Sequence, residues 1–372
     1  MRKSLVTILF AALLCAALLG GCAVPELPSL PTPTVTPTAS PPPALPAAAV
    51  PAPEAEPAPE PTPEPTDEPA PAPLEPLALN EHVIDPAFFA PANEQGELRF
   101  VDYESVFYLN GETLHKRLGV YLPYGYDGNR QYNVLLLLHT SGGTEESWLL
   151  DGHYYNFGDY TDLVSCKNMI DNLIERRLVA PLIVVTASGY PEPGPYFMQN
   201  THYAYEQFDK EFAEDILPFI AENFATYAEG GSHEQLAAAR SHFGVLGASY
   251  GSYMTYLSIF ATHMDLAANY CFIGGGPIDY NYCYERWSSR GFLDYGLDCV
   301  YIVEGEYDDH AGPELAYRAL LNYAPNTFSD ENLHYSTIYG AAHEPREWVN
   351  GLYNTLQIFF RDEPYPIPYV VQ

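Results

Sequence analysis

One short segment of this 372-residue sequence places a serine where it could act as a nucleophile. The pentapeptide Gly-Ala-Ser-Tyr-Gly at residues 247–251 follows a short apolar run and precedes the helix-like apolar run 253–260. A nucleophile on a sharp strand-to-helix turn needs small residues two positions before and after it, because the helix returns close to the sheet. The helix N-terminus favours negative charge that develops nearby. We therefore predict that Ser249 is a catalytic nucleophile.

A serine hydroxyl becomes a useful nucleophile only when an oriented base removes its proton. After such a turn the acid and the histidine come later in the chain, in that order. Asp308 follows a strand-like run and is the candidate acid, with the adjacent Asp309 as the alternative. His343 lies between the last strand-like run and the final helix-like run and is the candidate base. His310 lies too close in sequence to Asp308, and His334 starts a strand at the opposite end of the sheet.

The negative charge that forms during acyl transfer requires two backbone N–H donors. One comes from the residue after the nucleophile, which is Tyr250. The other is expected from the loop at residues 139–143, directly after a buried strand-like run. The alternative is that the two glycines of this loop serve only the turn.

Strand-like and helix-like segments alternate from about residue 98 onward, which predicts an α/β fold with a mostly parallel sheet and covering helices. The predicted strands are residues 98–109, 113–122, 134–138, 182–186, 245–246, 270–273, 299–303 and 334–339. The predicted helices are residues 208–224, 313–321 and 347–360. The first two strands form a hairpin around the Asn110–Gly111 turn.

The N-terminal 79 residues have a different composition. Residues 1–22 combine Arg2 and Lys3 with an apolar run and end in Gly-Gly-Cys, which is similar to a bacterial lipoprotein signal in which Cys22 is lipidated. An ordinary cleaved signal peptide is the alternative. Residues 23–79 are rich in Pro, Ala, Thr and Glu, so we expect an extended, solvated linker. We assign residues 80–372 to one catalytic domain on the extracellular bacterial surface, held to the membrane only by its lipid anchor.

The charge of the chain excludes some partners. Its formal net charge is −32, from 48 acidic and 16 basic residues. Such a surface argues against nucleic acid and anionic lipid as partners. The spacing of the four cysteines after Cys22, namely Cys166, Cys271, Cys283 and Cys299, matches no zinc motif, and the sequence does not decide between disulfides and free thiols. We expect neither a metal nor a cofactor.

Several separated motifs resemble those of carbohydrate esterase family one, which includes feruloyl and acetyl-xylan esterases, and more distantly esterase D and the mycobacterial antigen 85 acyltransferases. They are residues 136–139, Gly142 and Gly143, Trp148, residues 172–175, 181–185 and 208–219, and His343 with Trp348 and Leu352. The resemblance implies an α/β-hydrolase fold and a triad of Ser249, Asp308 and His343. It also implies an oxyanion hole formed by the N–H groups of Ser141 and Tyr250. The family usually has glycine at the position of Thr140 and commonly methionine at that of Tyr250.

The resemblance implies a serine esterase that removes feruloyl or acetyl groups from xylan-like polysaccharide, or acts on small phenolic or acetyl esters. Clustered tyrosines, such as those at residues 154–155, 196 and 203–205, would suit sugar rings and phenolic acyl groups, although core positions are the alternative. A siderophore-ester hydrolase or an acyltransferase of the same fold remains open. A glycan-binding surface protein without catalysis is a further alternative.

Overall fold

A computed structural model of the chain describes residues 74–75, 78–151, 165–191, 205–276, 279–293, 295–309 and 312–361. These residues all belong to one compact unit, which spans residues 69–372. The expected signal peptide with Cys22, nearly all of the expected linker, and His310 lie outside the described residues.

Within the described residues, eight strands form one sheet. Their bounds are β1 (Glu97–Phe107), β2 (Glu112–Leu122), β3 (Asn133–Leu138), β4 (Leu182–Ala187), β5 (Phe243–Ala248), β6 (Asn269–Ile273), β7 (Cys299–Gly305) and β8 (Leu333–Ile338). The order across the sheet is β1-β2-β4-β3-β5-β6-β7-β8. β1 and β2 form an antiparallel hairpin, β2 pairs antiparallel with β4, and every later neighbour pair is parallel. The predicted mostly parallel sheet is confirmed.

From β3 onward, at least one helix follows each strand. The helices are α1 (Cys166–Glu175), α2 (Phe208–Lys210, Glu211–Ile216 and Leu217–Asn223 in succession), α3 (His233–Ala238), α4 (Tyr250–Met254, continued by Thr255–Phe260), α5 (Tyr280–Arg290), α6 (Pro313–Tyr323) and α7 (Pro345–Ile358). The second segments of α2 and α4 are π-helical. The amphipathic pattern predicts which face of α2 is buried. It does not predict the π-helical segment, because this segment is defined by a change in the backbone hydrogen-bond pattern.

Helices cover both faces of the sheet. On β3, Val134 and Leu136 belong to the apolar core that includes α2, α4, α5 and α6. Leu135 and Leu137 belong to the second core, which includes α1 and α7. Successive strand residues point to opposite faces, so a strand buried on both faces is apolar at nearly every position.

The described part of the chain begins against the last helix. The N–H of Ala78 donates to Oε1 of Gln357 at 2.9 Å, and the N–H of Asn80 donates to Oδ1 of Asn354 at 2.8 Å. These bonds attach the segment at the predicted linker boundary to α7.

The four cysteines of the globular part are free, buried thiols. Cys271 lies on β6 and Cys299 on the neighbouring β7, and burial raises the pKa of both thiols. The alternative that the sequence left open is therefore resolved in favour of buried thiols.

None of the helices in the described ranges is long and apolar enough to cross a membrane.

Candidate active site

Ser249 occupies a strained turn between β5 and α4. Its φ of 53° and ψ of −114° lie in a region that residues other than glycine seldom adopt. Its N–H donates to the carbonyl oxygen of Ile273 on β6 at 2.8 Å, which ties the turn to the sheet. Helix α4 begins at the next residue, so the serine side chain stands at the helix N-terminus. Backbone strain of this kind costs on the order of 1–3 kcal/mol and is typical of functional sites.

The two flanking glycines are required by close packing. A β-carbon on Gly247 would collide with the carbonyl oxygen of Gly251, and one on Gly251 would collide with that of Leu138. The turn therefore packs against itself and against the end of β3. This is the physical reason for the small residues in the pentapeptide.

The structure brings the three predicted side chains together. Oγ of Ser249 lies 2.8 Å from Nε2 of His343, and Nδ1 of His343 lies 2.8 Å from Oδ2 of Asp308. A carboxylate only accepts, so Nδ1 carries the imidazole proton and Nε2 is left to accept the serine proton. The His343 side chain is 19% exposed and that of Asp308 is 1% exposed. The arrangement has the geometry required for nucleophilic catalysis by serine.

Sheet topology explains why residues so far apart in sequence meet. β5, β6, β7 and β8 are parallel neighbours, so their carboxyl ends lie at one edge of the sheet. Ser249 directly follows β5, Asp308 follows β7 and His343 follows β8. Each candidate residue therefore lies on a loop at this same edge, where open α/β sheets bind their ligands.

The other candidates have different positions. Asp309 is exposed, whereas the Asp308 side chain is the one that bonds His343. His334 lies near the start of β8, at the opposite edge, and burial lowers its pKa to about 4.

The loop after β3 lies beside the nucleophile. His139 is fully buried, with Nδ1 2.8 Å from the carbonyl oxygen of Thr140 and Nε2 accepting from the N–H of Gly189 at 3.0 Å. Burial is the main cause that lowers the pKa of His139 to about 4, consistent with a neutral ring that both donates and accepts. Because both of its ring nitrogens are bonded within the protein, this histidine organises the loop.

Two amides of this loop are engaged within the protein. The N–H of Gly142 donates to the Tyr190 hydroxyl at 3.1 Å, and that of Gly143 donates to the Thr140 carbonyl at 3.0 Å. The assignment of Ser141 and Tyr250 as N–H donors to an oxyanion stays a prediction. Tyr250 is the first residue of α4, and N–H groups in a first helical turn have no partner within the helix.

Aromatic rings form a wall around Tyr250, the residue after the nucleophile, and the sequence did not reveal this grouping. The ring of Tyr250 stacks on Tyr190, with centroids 5.6 Å apart, and packs against Tyr205 at 5.2 Å and His139 at 6.4 Å. The Tyr250 hydroxyl is buried and has no hydrogen-bond partner among the described residues. Tyr205 belongs to one predicted tyrosine cluster, while residues 154–155, 196 and 203–204 lie outside the described residues.

Glu347 is a further acidic group at the site that sequence reasoning missed. It lies on α7, four residues after His343, and its side chain is fully buried. Oε1 accepts from the N–H of Gly305 at 2.9 Å, and Oε2 lies 3.8 Å from Nδ1 of His343. The donor atoms of Asp308, His343 and Glu347 lie within 4.8 Å of one another, which a cation would require, but one there would compete with the bond from His343 to Asp308.

An open cleft of about 1010 Å³ lies alongside the loop after β3. Its lining includes Thr144, Glu145 and Glu146 from this loop, Tyr190 from the aromatic wall, and Arg117 from β2. Arg117 forms ion pairs with both Glu145 and Glu146. The cleft thus presents charged groups and aromatic rings next to the predicted oxyanion loop.

Comparison with curated proteins finds relatives among xylan-degrading enzymes. The chain is 30% identical over 260 residues to an endo-1,4-β-xylanase Y from Acetivibrio thermocellus, a match that covers 66% of this chain and 22% of that protein. It is also 30% identical over 201 residues to an endo-1,4-β-xylanase/feruloyl esterase from Xylanibacter ruminicola, covering 48% and 25%. The chain thus spans a quarter or less of these two relatives. No family model matches the sequence.

Solved structures share the fold over nearly their whole length. A structure named FAE is 25% identical with a TM-score of 0.60, and the match covers 79% of this chain and 97% of that one. The feruloyl esterase module of Clostridium thermocellum, solved with sinapinate, is 24% identical with a TM-score of 0.59 and the same coverage. A ferulic acid esterase of carbohydrate esterase family one from Anaeromyces mucronatus is 19% identical with a TM-score of 0.56, covering 76% and 98%. The predicted α/β-hydrolase fold and the resemblance to feruloyl esterase-like carbohydrate esterases are confirmed.

Proposed function

We propose that the protein hydrolyses carboxylic esters, with Ser249 as nucleophile, His343 as general base and then acid, and Asp308 as the group that orients His343. The observation that carries this proposal is the continuous pair of 2.8 Å contacts from Ser249 to His343 and from His343 to Asp308. The strained turn at Ser249 and the partial exposure of His343 support it, because the reacting group must meet both its base and a substrate.

In the first half of the reaction, Ser249 Oγ bonds to the ester carbonyl carbon while its proton moves to Nε2 of His343. The N–H groups of Tyr250 and Ser141 would stabilise the tetrahedral oxyanion. Breakdown of this intermediate releases the alcohol, which takes the proton from His343. Water then attacks the acyl-enzyme with His343 again as base, and the acid is released as Ser249 recovers its proton.

The proposed substrates are feruloyl or acetyl esters on xylan-like polysaccharide. Two relatives carry xylanase names, and one is also named feruloyl esterase. The rings of Tyr250, Tyr190 and Tyr205 would contact an aromatic acyl group. The neighbouring cleft offers carboxylates to sugar hydroxyls and aromatic rings to sugar faces.

The proposed setting is the bacterial cell surface. Residues 1–22 would direct export, lipidated Cys22 would hold the protein to the membrane, and residues 23–79 would carry the esterase domain outward. Metabolic labelling with a clickable fatty acid tests the anchor. Label on the native chain and not on Cys22→Ser supports it, and equal label on both contradicts it.

A substrate panel tests the function. Purified protein is incubated with methyl ferulate, acetylated xylan, a short-chain aryl acetate and a catecholate siderophore ester, alongside Ser249→Ala. The exposed Ser289→Ala on α5 is the matched control. We expect hydrolysis of feruloyl or acetyl substrates by the native and control proteins and loss of at least about a thousandfold in kcat for Ser249→Ala.

Covalent labelling supplies an independent readout. A fluorophosphonate should add to Ser249 in native protein, as located by peptide mass spectrometry, and not to Ser249→Ala. Full activity of Ser249→Ala would refute the assigned nucleophile. Failure of the native protein to hydrolyse any ester in the panel would refute the esterase function, and sole turnover of the siderophore ester would refute the substrate assignment.

A further inference from the structure

Glu347 is a second buried carboxyl group next to Asp308 and His343. The proposed ester hydrolysis assigns no role to it. Its side chain is fully buried, and none of the described residues donates a hydrogen bond to Oε2. A buried carboxylate oxygen without a donor is costly, whereas a carboxylic acid oxygen can itself donate.

The charged groups around Glu347 do not favour its ionised form. Asp308 from the loop after β7 and Glu304 from β7 are both acidic and raise the pKa of Glu347, after the larger effect of burial. His343 faces it from the loop after β8, but its Nδ1 is bonded to Asp308. Arg346, the adjacent cation on α7, donates to the carbonyl oxygens of Tyr339 and Gly340.

The carboxyl groups of Asp308 and Glu347 are both buried and have oxygens within 4.8 Å of each other, so ionisation of one disfavours ionisation of the other. The two carboxyl groups differ in their distance from His343. Asp308 accepts a hydrogen bond from Nδ1 of His343 at 2.8 Å, whereas Oε2 of Glu347 is 3.8 Å from the same nitrogen. The negative charge is therefore better placed on Asp308, and the shared proton on Glu347. The raised pKa of Glu347 is in agreement with this placement.

We propose that Glu347 is a neutral carboxylic acid whose proton lies on Oε2 toward the Asp308 carboxylate, and that it is a positioning residue for the triad. Its effect on catalysis rests on the proposed esterase function, whereas its protonation state does not.

The contacts of Glu347 explain how it would position Asp308. Oε1 accepts from the N–H of Gly305, and the carbonyl oxygen of Gly305 accepts from the N–H of Asp308 at 3.0 Å. Glu347 thus holds the turn after β7 by its backbone and faces the side chain that the turn presents. Loss of this group would let Asp308 move away from His343, which would leave the base misoriented.

Three variants separate the possibilities. Glu347→Gln keeps an acceptor for Gly305 and supplies an N–H donor toward Asp308 without charge. Glu347→Leu removes both functions, and Glu331→Gln, before β8 at the opposite edge of the sheet, controls for loss of one acidic residue. We expect Glu347→Leu to lower kcat about tenfold or more at similar KM. Glu347→Gln should recover most of that loss, and Glu331→Gln should behave as the native protein.

The pH profile decides the charge of Glu347. A neutral group predicts that the acid limb of kcat/KM keeps its midpoint in Glu347→Gln. An ionised group predicts a shift of the limb to lower pH by about one unit, because a negative charge next to the imidazole would have been removed. Such a shift would overturn the proposal, as would native kcat in a folded Glu347→Leu.

Infrared difference spectroscopy gives a readout that does not require activity. The spectrum of Ser249→Ala minus that of the double variant Ser249→Ala,Glu347→Gln isolates the Glu347 carboxyl, because the two proteins differ only at this residue. We expect the C=O stretch of a protonated acid at neutral pH, and a carboxylate pair of bands would overturn the assignment. This result holds or fails whether or not any ester is hydrolysed, and it remains decisive if Glu347→Leu does not fold.

Discussion

A β-carbon on Gly274 would stand 3.0 Å from Oε2 of Glu347 and 3.0 Å from Nδ1 of His343. Gly274 directly follows β6 and adopts a φ of +59°, in the left-handed region that disfavours other residues. The absence of a side chain at this position therefore provides the space in which the two groups approach each other.

Substitution of Gly274 should impair catalysis more than its effect on stability explains. Gly274→Ala must push Glu347 or His343 away, so we expect kcat to fall about tenfold or more. Gly291→Ala is the matched control, because Gly291 has a φ of +76° with nothing within 4 Å of an added β-carbon. Each variant should lose about 1 kcal/mol in free energy of unfolding from backbone strain. Equal kcat in the two variants, measured with stability by denaturant titration, would contradict this reasoning.

The choice between the two neighbouring aspartates can be tested by paired substitutions. Asp308→Asn leaves the shape of the site but cannot orient His343 as a carboxylate does, so we expect kcat to fall on the order of a thousandfold or more. Asp309 is exposed, and Asp309→Asn should retain native kcat. Steady-state kinetics on an aryl acetate measures both. A larger loss in Asp309→Asn would reverse the assignment.

Two buried histidines should make the fold sensitive to acid. The pKa of both His139 and His334 is lowered from 6.5 to about 4 in the folded protein, mainly by burial. The unfolded chain therefore binds more protons between these values. Their stabilising contribution is complete above pH 6.5 and is lost as the pH falls toward 4. The loss is up to about 3 kcal/mol for each histidine.

The contribution of His334 can be isolated because it lies away from the candidate site. His334→Gln should show a shallower decrease in free energy of unfolding between pH 6.5 and 4 than the native protein, as measured by urea titration. His115→Gln, at an exposed position on β2, should follow the native curve. Parallel curves for His334→Gln and the native protein would show that His334 does not carry this dependence.

Two tyrosines of the aromatic wall should respond differently to removal of their hydroxyls. Tyr190→Phe leaves the N–H of Gly142 without its acceptor and loosens the loop after β3, so we expect kcat to fall about tenfold. Tyr250→Phe removes a buried hydroxyl that has no partner among the described residues. It should raise the free energy of unfolding by about 1 kcal/mol and leave kcat on an aryl acetate unaltered. Comparable losses of kcat in both variants would contradict the distinction.

Local patterns in the chain are sufficient to predict most of the framework. Mostly apolar runs predict β3 to β7 because strands covered on both faces leave few positions for polar side chains. The Asn110–Gly111 turn between alternating segments predicts the β1–β2 hairpin. The pentapeptide around Ser249 predicts its sharp turn, since only small residues allow the backbone to return against β3.

Contacts between distant segments decide what these patterns leave open. Asp308 and Asp309 are equivalent in sequence, and only the direction of the turn after β7 presents one of them to His343. The π-helical segments of α2 and α4 and the unpaired cysteines depend on packing in the same way. In the sequence, Glu347 is an ordinary helical residue. Only the packing of α7 against β6 and β7 buries it beside Asp308. The charge of a buried carboxyl depends on its neighbours in space, and tertiary structure alone determines which groups those are.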